Sequence, residues 1–124
     1  MTMIAVITAL TILIALAVLQ VLVASGLPYG RLVWGGQHEV LPPALRAGSA
    51  VALLIYGAIG WILLARADLL PGRGAVVEVI TWVAFAYFVI GIAMNGLSRS
   101  RAERVVQTPT CVALALCSLV IALS

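Results

Sequence analysis

Four long apolar runs separated by shorter polar stretches make up this chain. The first extends from about Met3 to Ala24, and only Thr8, Thr11 and Gln20 interrupt it. Threonine hydroxyls bond back to the preceding helical turn, so these interruptions do not break a helix. Further runs go from about Ala44 to Ala65, from about Val76 to Leu97, and from near Val105 to Ser124. Each approaches the roughly 20 residues that a helix needs to cross a bilayer at about 1.5 Å per residue. The expected fold is therefore all-α: four transmembrane helices in an up-down bundle, with spans of about 3–25, 44–66, 76–97 and 105–124. With so little chain left over, 1–124 reads as a single domain.

Breaker residues set the connections. The stretch from Gly26 to Pro43 holds Pro28, Gly30, Gly35, Gly36 and Pro42, too many for a regular helix. Val23-Ala24-Ser25 before Gly26 has the look of a signal cleavage site. The apolar run is too long for one and no basic residue precedes it, so it reads as a retained span. Pro71-Gly72-Arg73-Gly74 predicts a tight hairpin between the second and third helices, which makes them antiparallel neighbours. The polar segment Ser98 to Gln107 leads into the fourth helix, with Pro109 expected in its first turns.

Composition places the chain in its class. Hydrophobic residues are 65% of the total and charged residues 9%, against about a quarter charged in a soluble domain. The net charge of +3 comes from seven arginines and no lysine against four acids. Arg31, Arg46, Arg99, Arg101 and Arg104 belong to the first and third connections, and only Arg66 and Arg73 flank the second. The excess of basic residues on cytoplasmic loops then puts those two connections inside and both termini outside. Trp61 and Trp82 fall near the outer ends of their helices, and Tyr29 and Trp34 lie in the inner connection. The expected location is a cell membrane, in keeping with a bacterial inner membrane, and the expected partners are the bilayer and anionic lipid at the inner loops. Small residues at helical spacing, such as Ala5 with Ala9, Gly57 with Gly60 and Ser118 with Ala122, allow close helix packing and association into a homo-oligomer or larger membrane complex. A nucleic-acid partner is not expected, because arginines in such a chain report orientation.

The chemistry on offer is sparse. Cys111 and Cys117 are six residues apart on one helix, about 9 Å, too far for a disulfide. His38 is the only histidine, and with Glu39 beside it supplies too few ligands for a metal. These two are the candidates for acid or base catalysis. Gln20, Asn95, Arg99, Arg101 and Arg104 gather at the inner end and are candidates for binding a phosphate or carboxylate. Tyr56 and Tyr87 lie near the midplane, where their hydroxyls are expected to bond each other or a buried ligand. Glu78, at the outer end, is expected to lie near Arg73 or Arg66. No charged residue falls at the midplane, which argues against an intramembrane carboxylate relay. No motif assigns a cofactor.

Three function classes fit this pattern. An accessory or assembly subunit of a membrane complex needs only spans and packing faces, and is the first expectation. A transporter or channel for a small molecule, ion or lipid needs a path past Tyr56 and Tyr87. An enzyme acting on a lipid-like substrate at the cytoplasmic interface needs a reactive set, for which only the inner residues qualify; the sequence leans against it.

Overall fold

A computed structural model describes residues 1–124 and is all-helical. Four helices account for most of it: α1 (Thr2–Ala24), α2 (Pro43–Arg66), α3 (Ala75–Gly96) and α4 (Arg101–Ala122). All four are long and apolar enough to cross a membrane. Two short 3₁₀ turns, Gly30–Leu32 and Trp34–Gly36, shape the connection between α1 and α2.

The helix ends follow from local chemistry. Pro42 and Pro43 open α2, where a missing N–H costs nothing. At the end of α1, Gly26 takes φ +91° while the N–H groups of Gly26 and Leu27 donate to the carbonyls of Val23 and Leu22. This is a Schellman ending. α2 ends in the same way, with Asp68 at φ +61° and the Asp68 and Leu69 N–H groups donating to Ala65 and Leu64. α4 begins at Arg101 rather than near Val105, because Ser100 caps it: the Ser100 Oγ accepts from the Glu103 N–H at 3.3 Å. Hydropathy sees the apolar part of a helix and misses such a polar first turn. Pro109 consequently sits in the interior of α4, not in its first turns, and supplies no N–H for the Val105 carbonyl.

The chain runs up and down. Ser100, before α4, donates its hydroxyl to the Arg31 carbonyl at 2.7 Å, which joins the first and third connections at one end. We call this the basic end. At the opposite, hairpin end, Arg66 at the close of α2 donates to the Ala122 carbonyl at the close of α4 at 2.8 Å. α1 packs on α2 and α4, and α3 packs on α4 most closely of all. Gly91 brings α3 onto α4: a Cβ there would lie 3.0 Å from the Cys111 sulfur. α2 and α3, joined through residues 67–74, pack together far more sparsely.

The core lies among all four helices, with Ala9, Leu13, Leu63, Phe88, Leu114 and Ile121 at its centre. Polarity is inverted relative to a soluble bundle. Gln20, Ser49, Thr81, Gln107 and Ser118 are buried, whereas Ile4, Ile14, Leu54, Val83, Ile90 and Leu116 face outward. Thr81 donates back to the Val77 carbonyl at 2.7 Å, as expected of a hydroxyl in an apolar helix.

The connection between α1 and α2 is docked, not loose. Val23, Val33 and Leu41 form a second small core beneath it. The Trp34 indole N–H donates to the Ser49 Oγ at 3.0 Å, and its ring lies so close to Gly48 that a Cβ there would be 2.7 Å away. Arg46, assigned to this connection from sequence, stands in the first turn of α2 and donates to the Ala24 carbonyl at 2.8 Å, completing the end of α1.

At the hairpin end Glu78, expected near Arg73 or Arg66, makes no ion pair with either. Arg73 pairs with Asp68 within the turn, Arg66 is buried against α4, and Glu78 is exposed with no ionic partner. The turn's left-handed Asp68 brings that carboxylate close to Arg73, and Glu78 lies on the first turn of the next helix.

Candidate functional site

A cavity of about 690 Å³ opens at the basic end and reaches toward the middle of the bundle. All four helices and both basic-end connections contribute to it. Its apolar wall includes Leu16, Ala52, Phe88, Ile90, Met94 and Leu114. Tyr87, Ile90 and Met94 of α3 line the cavity and are exposed. The cavity is lined by residues of both α2 and α3, the neighbouring pair that packs together most sparsely.

The polar lining comes from side-chain lean as much as from position along each helix. A helical side chain tilts toward the N-terminus of its own helix. In antiparallel neighbours, residues at different depths therefore lean toward one another. Gln20, near the basic end of α1, leans toward the middle, and Tyr56, near the middle of α2, leans toward the basic end. The Gln20 Nε2 donates to the Tyr56 hydroxyl at 3.4 Å. Asn95 on α3 and Cys111 on α4 meet in the same way, the Asn95 Nδ2 lying 3.4 Å from the sulfur and 2.8 Å from the Gly91 carbonyl.

This changes the expected pairing of tyrosines. Tyr56 bonds Gln20 instead of Tyr87, and Tyr87 makes no hydrogen bond and lines the cavity half-exposed. The depth layers inferred from sequence count separated Gln20 from the tyrosines, and the structure joins them.

Of the residues singled out from sequence, Gln20, Tyr56, Tyr87, Asn95 and Arg99 line the cavity. Arg101 and Arg104 do not; both are exposed at the start of α4, and Arg104 donates to the Ser98 carbonyl at 2.8 Å. His38 and Glu39 are exposed on the first connection and also lie outside the lining. Their backbone has a structural part, because the Gly30 N–H donates to the Glu39 carbonyl at 2.8 Å.

Sequence reasoning passed over three lining residues, Glu103, Gln107 and Cys111. They follow one another at intervals of four, which sets them on one stripe of α4 facing the cavity. Glu103 is buried and accepts from the Ser98 hydroxyl at 2.6 Å. Gln107 donates to the Leu32 carbonyl at 3.0 Å and so ties α4 to the first connection. The signal was present in the sequence as Ser100-Arg101-Ala102-Glu103, the serine and glutamate spacing of a capping box. Recognising it would have started α4 early enough to put all three on one helix.

Trp34 closes the cavity toward the connection. Its φ of +52° is strained for a side chain of this size, and the Ser49 bond and the Gly48 contact hold it there. Backbone strain retained against a cavity wall is a mark of a working site. Comparison of the chain with protein-family models, with curated proteins and with solved structures finds no match, so the cavity itself carries the functional argument.

Proposed function

We propose that this protein lies in a cell membrane with its basic end on the cytoplasmic side and binds a small amphiphilic molecule in the cavity, as a carrier or transporter of that molecule. What supports this most is a cavity with a polar interior set beside α2 and α3, whose sparse packing on each other we read as a lateral gap. A bilayer-dissolved molecule reaches such a gap without crossing water, and its polar part then finds partners that the hydrocarbon does not offer. Ligand sites between helices of a bundle are built in this manner, mostly apolar with a few convergent polar groups. The exposed aliphatic exterior supports insertion, and the arginines of the basic end support the orientation.

The accessory-subunit role expected from sequence draws on packing faces alone and leaves this cavity without a use. The enzyme role drew on His38 and Glu39, which lie outside the lining.

Filling the cavity tests the proposal. Ala52 lines it on α2, and Ala52→Phe adds a ring to the space. Small molecules extracted from the purified protein are compared by mass spectrometry between wild type and Ala52→Phe, with thermal stability followed in parallel. The expected result is one or more amphiphiles enriched with the wild type and depleted at least about tenfold with the variant, at similar stability. Identical extracts from both would remove the proposal.

A further inference from the structure

The polar groups of the cavity are unequally divided between donors and acceptors. Asn95 turns its amide nitrogen to the Gly91 carbonyl and the Cys111 sulfur, Gln107 turns its own to the Leu32 carbonyl, and Gln20 turns its own to the Tyr56 hydroxyl. Backbone carbonyls only accept, so the Gly91 and Leu32 contacts fix which way Asn95 and Gln107 face. Each nitrogen is thus engaged within the protein, and the three amide oxygens have no protein donor. Gln20 is 7% exposed, and its Oε1 is enclosed without a partner. An enclosed acceptor left without a donor costs free energy that a ligand's donor recovers.

Charge points the same way. Glu103 is 7% exposed, lines the cavity, and shares one oxygen with the Ser98 hydroxyl. It has no ionic partner, because the one salt bridge in the molecule is Arg73–Asp68 at the hairpin end. Two nearby guanidinium groups are occupied, Arg31 donating to the Gly36 carbonyl at 3.1 Å and Arg104 to the Ser98 carbonyl, while Arg99 lines the cavity and is exposed without an ion pair to Glu103. Four aromatic side chains, Trp34, Tyr56, Tyr87 and Phe88, also line the cavity, and aromatic rings attract cations over their faces.

We infer that the ligand is an amphiphilic amine, whose ammonium group donates to the Glu103 carboxylate and neighbouring amide oxygens while its apolar body passes out between α2 and α3. This inference rests on the cavity being a binding site and adds the chemical class of what it binds. A phosphate or carboxylate held by the arginines of the rim is the competing ligand.

Three single-chain probes that differ only in the head group separate the cases: hexadecylamine, hexadecanol and hexadecanoate. The protein is placed in phosphatidylcholine nanodiscs with Trp61→Phe and Trp82→Phe, which leaves Trp34 on the cavity wall as the only tryptophan reporter. A saturable change in Trp34 fluorescence is expected with hexadecylamine, at an affinity about tenfold or more above the other two. Glu103→Gln keeps an acceptor for Ser98 and removes the charge. It is expected to bring the amine down to about the affinity of the alcohol, with a much smaller loss for the alcohol itself. Gln20→Leu, which removes an acceptor without altering charge, is expected to weaken amine and alcohol alike. Tightest binding of hexadecanoate, lost on Arg99→Ala, would overturn the inference and leave the cavity as an anion site. Equal binding of amine and alcohol, indifferent to Glu103→Gln, would overturn it also. If none of the three saturates, the binding function falls together with the inference.

Discussion

At the scale of single residues, the left-handed glycines of the first connection separate strain from crowding. Gly35 and Gly36 both take positive φ, +79° and +68°. Around Gly35 a Cβ would meet nothing, whereas at Gly36 it would run into the Ser100 side chain and the Arg31 carbonyl. Gly35→Ala is therefore expected to cost about 1 kcal/mol, from strain alone. Gly36→Ala is expected to cost about 3 kcal/mol, since the backbone must also move away from Ser100. Thermal unfolding of the two variants in the same detergent checks the order; equal losses would show that the Gly36–Ser100 contact is slack. The two glycines are adjacent and look alike in the sequence. Nothing there distinguishes them, because the neighbour of Gly36 comes from a residue 64 positions later, across a connection whose docking only the fold reveals. Gln20 and Tyr56 show the same limit: their separation along their helices was legible, and their contact came from opposite side-chain lean on two antiparallel elements.

At the scale of elements, apolar runs located all four helices, and breakers located the connections. Polar starts were the weak point. The capping residues at Ser100 and Glu103 extend α4 outward into sequence that hydropathy assigns to a loop, and with that turn goes the cavity residue Glu103. The first connection was legible as irregular, but not as a docked wall, because its anchors are a tryptophan lying over Gly48 and a bond from the Trp34 indole to Ser49. Gly48→Leu is expected to push the Trp34 ring off α2 and open the segment between Gly26 and Pro42 to protease. In membrane vesicles the cut is expected with protease on the cytoplasmic face only. Cleavage from the opposite face would reverse the proposed orientation, and a variant as resistant as wild type would show that Trp34 does not hold the connection down.

At the scale of the whole molecule, the sequence indicates a bundle and an inverted polarity, since apolar residues run all round the helices. What it does not carry is the unequal packing of the four pairs. The small residues that bring α3 onto α4 and α1 onto α2 recur in every helix, so they do not announce that α2 and α3 stay apart. The proposed function reads that sparse pairing as a lateral way into the cavity and depends on it. Native mass spectrometry of the intact protein, released gently from its own membrane, tests the claim most directly. The account predicts the mass of the chain, singly or as a small oligomer, carrying one small molecule per chain that is lost on Ala52→Phe. A chain without any bound small molecule, held in fixed ratio with a second polypeptide, would contradict it and return the protein to the role of an accessory subunit.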